Sequence, residues 1–124
     1  MLHNLTVENI ALIDRLKIEF SDGLNVLTGE TGAGKSIIVG SMNLILGERA
    51  DKELIRRSQD KARVEAILYI DATAFSGLFD QYGISAHDEL VVSRELTISG
   101  KNICRINGTI VNLSTLKEFM NQIV

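Results

Sequence analysis

The chain has 124 residues, 45% of them apolar, which is enough for one domain with its own core and excludes a disordered segment. No apolar run approaches the roughly 18 residues of a membrane span, and a single cysteine, Cys104, excludes an internal disulfide framework. A formal net charge of -3 with 5% aromatic residues argues against a dedicated nucleic-acid module built on a basic face or on stacking platforms.

Residues 2–8 and 12–20 read as two strands. In the second, Leu12, Leu16, Ile18 and Phe20 alternate with Asp14, Arg15, Lys17 and Glu19, with one slip. Ser21-Asp22-Gly23 is a turn signal, and Leu24–Thr28 is a short buried strand aimed at a glycine-rich loop. A helix is predicted from about Lys35 to Leu46, with Ile38, Met42, Ile45 and Leu46 on its apolar face and Gly47 as its stop. Residues 48–61 are charged and predict a loop with a short helix. Alternation returns over Val64–Asp71, a strand. Phe75, Leu78, Phe79 and Tyr82 mark one face of a helix that Gly83 ends. Glu89–Ile98 and Asn102–Asn107 predict a hairpin around Ser99-Gly100-Lys101, and Asn107-Gly108 a second tight turn into Thr109–Val111. Ser114–Val124 reads as a helix with Ser114 as N-cap and Leu116, Phe119, Met120 and Ile123 facing a core. No stop signal follows, so residues 1–124 are expected to be a piece of a longer protein.

The chemistry concentrates between the third predicted strand and the helix after it. Gly29-Glu30-Thr31-Gly32-Ala33-Gly34-Lys35-Ser36 satisfies G-x-x-x-x-G-K-[ST], the phosphate-binding loop. A loop that wraps phosphate oxygens needs the close backbone approach that Gly29 and Gly34 allow, and Gly32 adds freedom. Its successive N–H groups then form an anion nest, and the following helix adds its positive dipole end. Lys35 is expected on the β- and γ-phosphates and Ser36 on Mg²⁺, with Glu30 directed away. ATP with Mg²⁺ is the expected ligand.

The loop alone does not choose among kinases, GTPases and ABC-type ATPases. Ala66–Asp71 resembles a Walker B strand, but Asp71 is more simply a polar strand end. Asp80-Gln81-Tyr82-Gly83 imitates a GTPase D-x-x-G within a helical pattern, and N-K-x-D is absent. Arg94 shares a strand face with Val92, Leu96 and Ile98, where a structural salt bridge is the expected role. Cys104 reads as a core residue, and His3 and His87 show no metal spacing.

Leu5-Thr6-Val7-Glu8-Asn9-Ile10, a second strand, and Gly23–Gly29 running into the loop together resemble the N-terminus of an SMC-type ABC ATPase head. The loop wording is similar to the RecN family of bacterial DNA repair ATPases. So are Leu46-Gly47-Glu48-Arg49-Ala50, Leu54-Ile55-Arg56-Arg57, Val64-Glu65-Ala66, Ser93-Arg94-Glu95 and Cys104-Arg105-Ile106-Asn107-Gly108, in this order. Ser58 departs from the pattern, since relatives often carry glycine there.

The resemblance implies an α/β P-loop NTPase fold: the N-terminal lobe of a head, with a mixed, strand-rich sheet around the Walker A helix. It implies that Arg56 or Arg57 approaches nucleotide or senses DNA, and that Asn4, Asp14 and Arg15 could edge the base or ribose pocket. It implies a cytoplasmic protein, on the nucleoid after DNA damage, that acts in recombinational repair of double-strand breaks. Its partners would be the C-terminal half of its own head, a second head in an ATP-dependent dimer, and DNA, with no membrane. The Q-loop, signature motif, Walker B and switch histidine would lie outside these residues. The segment is therefore expected to bind ATP without hydrolysing it. The alternatives are a self-contained small P-loop kinase or GTPase, and a nucleotide-dependent scaffold.

Overall fold

The computed structural model describes residues 2–11, 13–20, 32–50 and 52–124, with residues 32–36 and 52 described by backbone alone. The elements run β1 (Leu2–Ile10), β2 (Ile13–Glu19), α1 (Gly32–Ile45), a 3-10 turn (Lys52–Leu54), β3 (Lys61–Tyr69), a second 3-10 turn (Ala72–Phe75), α2 (Ser76–Tyr82), β4 (Glu89–Thr97), β5 (Asn102–Ile106), β6 (Thr109–Val111) and α3 (Leu113–Ile123). The strands form one six-stranded sheet in the order β2-β1-β3-β4-β5-β6, and every described pairing is antiparallel. The turn at residues 21–23 and the strand expected at 24–28 lie outside the described residues.

Side-chain alternation sets the two faces of the sheet. Leu5 and Val7 of β1, Ala62, Val64, Ala66 and Leu68 of β3, Leu90, Val92 and Leu96 of β4, and Cys104 and Ile106 of β5 are all buried. Leu44 and Ile45 of α1 and Leu116, Phe119, Met120 and Ile123 of α3 belong to the same buried cluster. Phe79 of α2 meets Phe119 edge-on, with ring centroids 5.5 Å apart. Burying a side chain such as Phe119 contributes about 1.5–3 kcal/mol, and α3 supplies four buried residues in eleven.

The local signals explain most boundaries. Asn107 and Gly108 both have positive φ, 50° and 84°, as a two-residue hairpin turn of type I′ requires. The Asn107 side chain also accepts from the Val91 amide at 2.9 Å and donates to the Ser85 carbonyl at 2.8 Å. Gly83 ends α2 in the left-handed conformation. The N-cap of α3 is Asn112 rather than Ser114: its Oδ1 accepts from the Thr115 amide at 2.7 Å, and the Ser114 hydroxyl bonds the same oxygen at 2.9 Å. The third strand ends at Tyr69, so Asp71 lies beyond it as the cap of the second 3-10 turn. Within α1, Ser41 and Leu44 are buried in addition to Ile45, whereas Ile38 and Met42 are half-buried, as is Leu46 just past the helix end.

Candidate functional site

The glycine-rich motif runs directly into α1. The helix begins at Gly32, inside the motif and three residues before the predicted start. The first four N–H groups of a helix have no intrahelical acceptor and carry its positive dipole end. The first turn of α1 as described is Gly32, Ala33, Gly34 and Lys35, and it holds no acidic residue to repel an anion. This backbone fits a phosphate group. Gly29, Glu30 and Thr31 lie outside the described residues, as do the side chains of Lys35 and Ser36.

The far end of α1 is closed by a two-bond cap. The Glu48 amide donates to the Asn43 carbonyl at 3.0 Å, and the Gly47 amide to the Leu44 carbonyl at 3.1 Å, the Schellman arrangement. Gly47 sits at φ 90°, and a Cβ placed there would lie 2.7 Å from the Cα of Lys117 in α3. Glycine is thus required for backbone geometry and for close approach.

Arg94 of β4 reaches the same helix end. It is 1% exposed, and its neighbours along the strand face are the buried Val92 and Leu96. The expected salt bridge is not what holds it. Nη1 donates to the carbonyls of Leu44 at 2.9 Å and Glu48 at 2.5 Å, and Nε donates to Asn102 Oδ1 at 3.0 Å. The physical reason is placement: the strand face that carries Arg94 lies under the last turn of α1, where the Leu44 carbonyl, which also accepts from Gly47, and the Glu48 carbonyl just past the cap hold a cation without a second buried charge. Cys104 is its cross-strand partner and is buried, as expected of a core residue. Burial pushes the Arg94 guanidinium below its usual value, and the Cys104 thiol opposes this. Burial pushes that thiol up, against the pull of Arg94.

The Arg56–Arg57 loop is fastened to the turn between β1 and β2. Ile55 bridges Ile10, the Arg56 amide donates to the Asn9 carbonyl at 2.7 Å, and the Ala11 amide donates to the Leu54 carbonyl at 2.8 Å. Arg56 Nη1 lies 3.3 Å from Asp14 Oδ1, while Arg57 is exposed. Ser58 adopts φ 67°, the left-handed region where glycine is at ease. Ile10, Ala11 and Leu54 then face Ile37, Gly40, Ser41 and Leu44 of α1 across an apolar cavity of about 150 Å³.

The structure therefore joins two of the sequence candidates, Asp14 and Arg56, and separates others. Asn4 pairs in register with Glu19 and Glu8 with Arg15, which puts Asn4 about 13 Å along the strand from the Arg15 end. Arg15 is exposed at that end. His3 stacks near Tyr69, with centroids 4.6 Å apart. Among the described residues, no group of three His, Cys, Asp or Glu side chains could hold a metal. Asp71 accepts from the Thr73 hydroxyl at 2.6 Å and from the Thr73 amide at 3.2 Å. Chiefly the hydroxyl bond holds its carboxyl below the usual range. Asn102 is a residue that sequence reasoning passed over. The signal available was an arginine on an apolar strand face with an amide side chain on the neighbouring strand.

A helix begun by a glycine-rich phosphate motif and laid on a strand-rich antiparallel sheet defines the class. The chain belongs to the AAA domain family, whose match covers residues 4–124. Solved structures share the fold. A chain from work on ATP-driven dimerization and DNA-stimulated activation of SMC ATPases superposes with TM-score 0.77 at 19% identity, covering 97% of this chain and 77% of that one. The SMC head domain from Thermotoga maritima gives 0.64 at 23% identity, covering 94% and 41%.

The curated relatives are more specific. DNA repair protein RecN of Bacillus subtilis is 40% identical over 120 residues, 95% of this chain and 21% of its own length. RecN of Halalkalibacterium halodurans is 41% identical over 127 residues, 100% of this chain and 22% of its own. The chain spans about a fifth of the length of the curated relatives it matches. Among the described residues, no helix is long and apolar enough to cross a membrane.

Proposed function

We propose that residues Gly29–Ser36 bind the phosphates of ATP, and that the chain is the nucleotide-binding segment of a RecN-like ATPase in recombinational repair of DNA double-strand breaks. The observation that carries this reading is the helix start at Gly32, inside the motif, with no acidic residue in its first turn. Lys35 would hold the β- and γ-phosphates and Ser36 would ligate Mg²⁺. When bound, the metal neutralises phosphate charge; this chain binds and orients the nucleotide.

Arg56 and Arg57, carried on a loop fastened to the first hairpin, suit a phosphate of nucleotide or DNA because a guanidinium bonds it bidentately. Among the described residues none has the setting of a catalytic base, and on this reading hydrolysis requires the rest of the head and a second head, and DNA contact belongs to that assembly. Support comes from the RecN relatives and from the SMC head folds. A cytoplasmic site on the nucleoid follows from that function.

The test is ATP binding by calorimetry. The full-length protein should bind ATP, and Lys35→Ala should weaken binding at least about tenfold. The 124-residue chain should release no phosphate from ATP above a Lys35→Ala control. Wild-type affinity in the Lys35→Ala protein, or Lys35-dependent turnover by the isolated chain, would refute the corresponding half of the proposal.

A further inference from the structure

Arg94 is an unusual group to bury. A guanidinium taken out of water loses much of its hydration, and an apolar side chain of similar volume is often equally or more stable in such a place. Arg94 is nonetheless 1% exposed, and its Nη2 has no hydrogen-bond partner among the described residues. What the side chain does make is specific. One nitrogen grips two carbonyls at the end of α1, Leu44 and Glu48, while Nε is held by Asn102 on the next strand. Asn102 pairs in register with Leu96, two residues along from Arg94. The amide therefore fixes the guanidinium from the sheet side, and the guanidinium fixes the helix.

Three restraints converge on that helix end: the two-bond cap at Gly47, the close approach of Gly47 to Lys117 of α3, and the fork from Arg94. A 14-residue α-helix is stiff and about 20 Å long, so fixing its end and its rotation fixes where its first turn lies. The first turn is the one inside the glycine-rich motif.

We infer that Arg94, oriented by Asn102, is a positioning residue for the phosphate loop, holding α1 in axial and rotational register on the sheet so that the amides of its first turn meet the nucleotide's phosphates. This rests on the nucleotide-binding reading above. The cation at the helix C-terminus also reinforces the dipole whose positive end faces the loop. A residue some 60 positions away in sequence, outside any phosphate motif, thereby sets phosphate affinity.

The test uses the full-length protein that contains this chain and two readouts, amide hydrogen exchange and ATP affinity by calorimetry. Arg94→Met keeps volume and removes the fork. Exchange should rise over residues 36–45, whose amides α1 itself bonds, while β3 and β4 stay protected, and ATP should bind about tenfold more weakly. Arg94→Lys retains the charge but lacks the Nε–H that Asn102 holds, and Asn102→Leu frees the guanidinium; each should weaken binding about threefold with the same local exchange pattern. If Arg94→Met does not fold, these two variants decide. Unchanged exchange at 36–45 with wild-type affinity overturns the proposal. So does a rise in exchange spread equally over β3 and β4, which marks a general loss of stability. If the wild-type protein binds no ATP, the nucleotide reading fails and takes this proposal with it. If the wild type binds and the variants bind equally, this proposal alone fails.

Discussion

The two faces of the sheet each place an arginine near the middle, and they treat it in opposite ways. On the helix-covered face, Arg94 of β4 is buried against carbonyl dipoles. On the opposite face, Arg63 of β3 keeps about a third of its side chain in water and sits among carboxylates: Glu65 at 2.5 Å, Glu95 at 3.9 Å and Glu8 at 4.0 Å. The strand register makes this a row of alternating sign, Arg15–Glu8–Arg63–Glu95, running across β2, β1, β3 and β4. Arg105 extends it, 3.9 Å from Glu95. The contrast shows how burial selects the partner of a cation. In contact with water, full charges can pair because solvent still screens and hydrates them. Under a helix, a cation joins the partial negative charge of the carbonyls at a helix end, with no second full charge to bury.

The comparison predicts a ranking of substitutions by face, measured by denaturant unfolding. Phe119→Ala, at the contact of α3 with α2, should destabilise most, by about 3–5 kcal/mol, because it opens a cavity among fully buried neighbours. Gly47→Ala should follow at about 2–4 kcal/mol, since the added Cβ meets the Lys117 backbone at 2.7 Å and the φ of 90° disfavours any L side chain. Arg63→Met should change stability by less than about 1 kcal/mol, and raising salt should shrink even that. A loss from Arg63→Met as large as that from Phe119→Ala would break the comparison. It would mean that the charged face is packed against another part of the full-length protein.

The sequence carried the sheet well, because alternation, turn glycines and short loops are local signals. The β4–β5 hairpin and the Asn107-Gly108 turn are read from adjacent residues. So is the buried face of α3. The N-cap of that helix was misplaced because Asn112 and Ser114 are both good capping residues two positions apart, and only backbone geometry chooses between them. The partner of Arg94 was not legible for a different reason. Backbone carbonyls have no letter in the sequence, so an arginine on an apolar face suggests a carboxylate when its acceptors belong to a helix end some 46–50 residues earlier. The phosphate motif was legible from composition and spacing, and the structure adds the start of α1 within it. The left-handed backbone at Ser58 gives a physical meaning to a position where glycine was expected.

The strand order has a consequence for synthesis. From β4 onward, each strand pairs with its immediate successor through a short loop, so this part of the sheet can zip as it emerges. The hairpin of β1 and β2 is made first, yet the inner edge of β1 pairs with β3, which begins about fifty residues after β1 ends. At bacterial or eukaryotic translation rates, that edge stays open for about 3–10 s on every nascent chain. An unpaired edge carrying Leu5 and Val7 is a site for wrong pairing with a neighbouring chain. Its Glu8, flanked by Arg15 on β2, places charge on that edge while it waits.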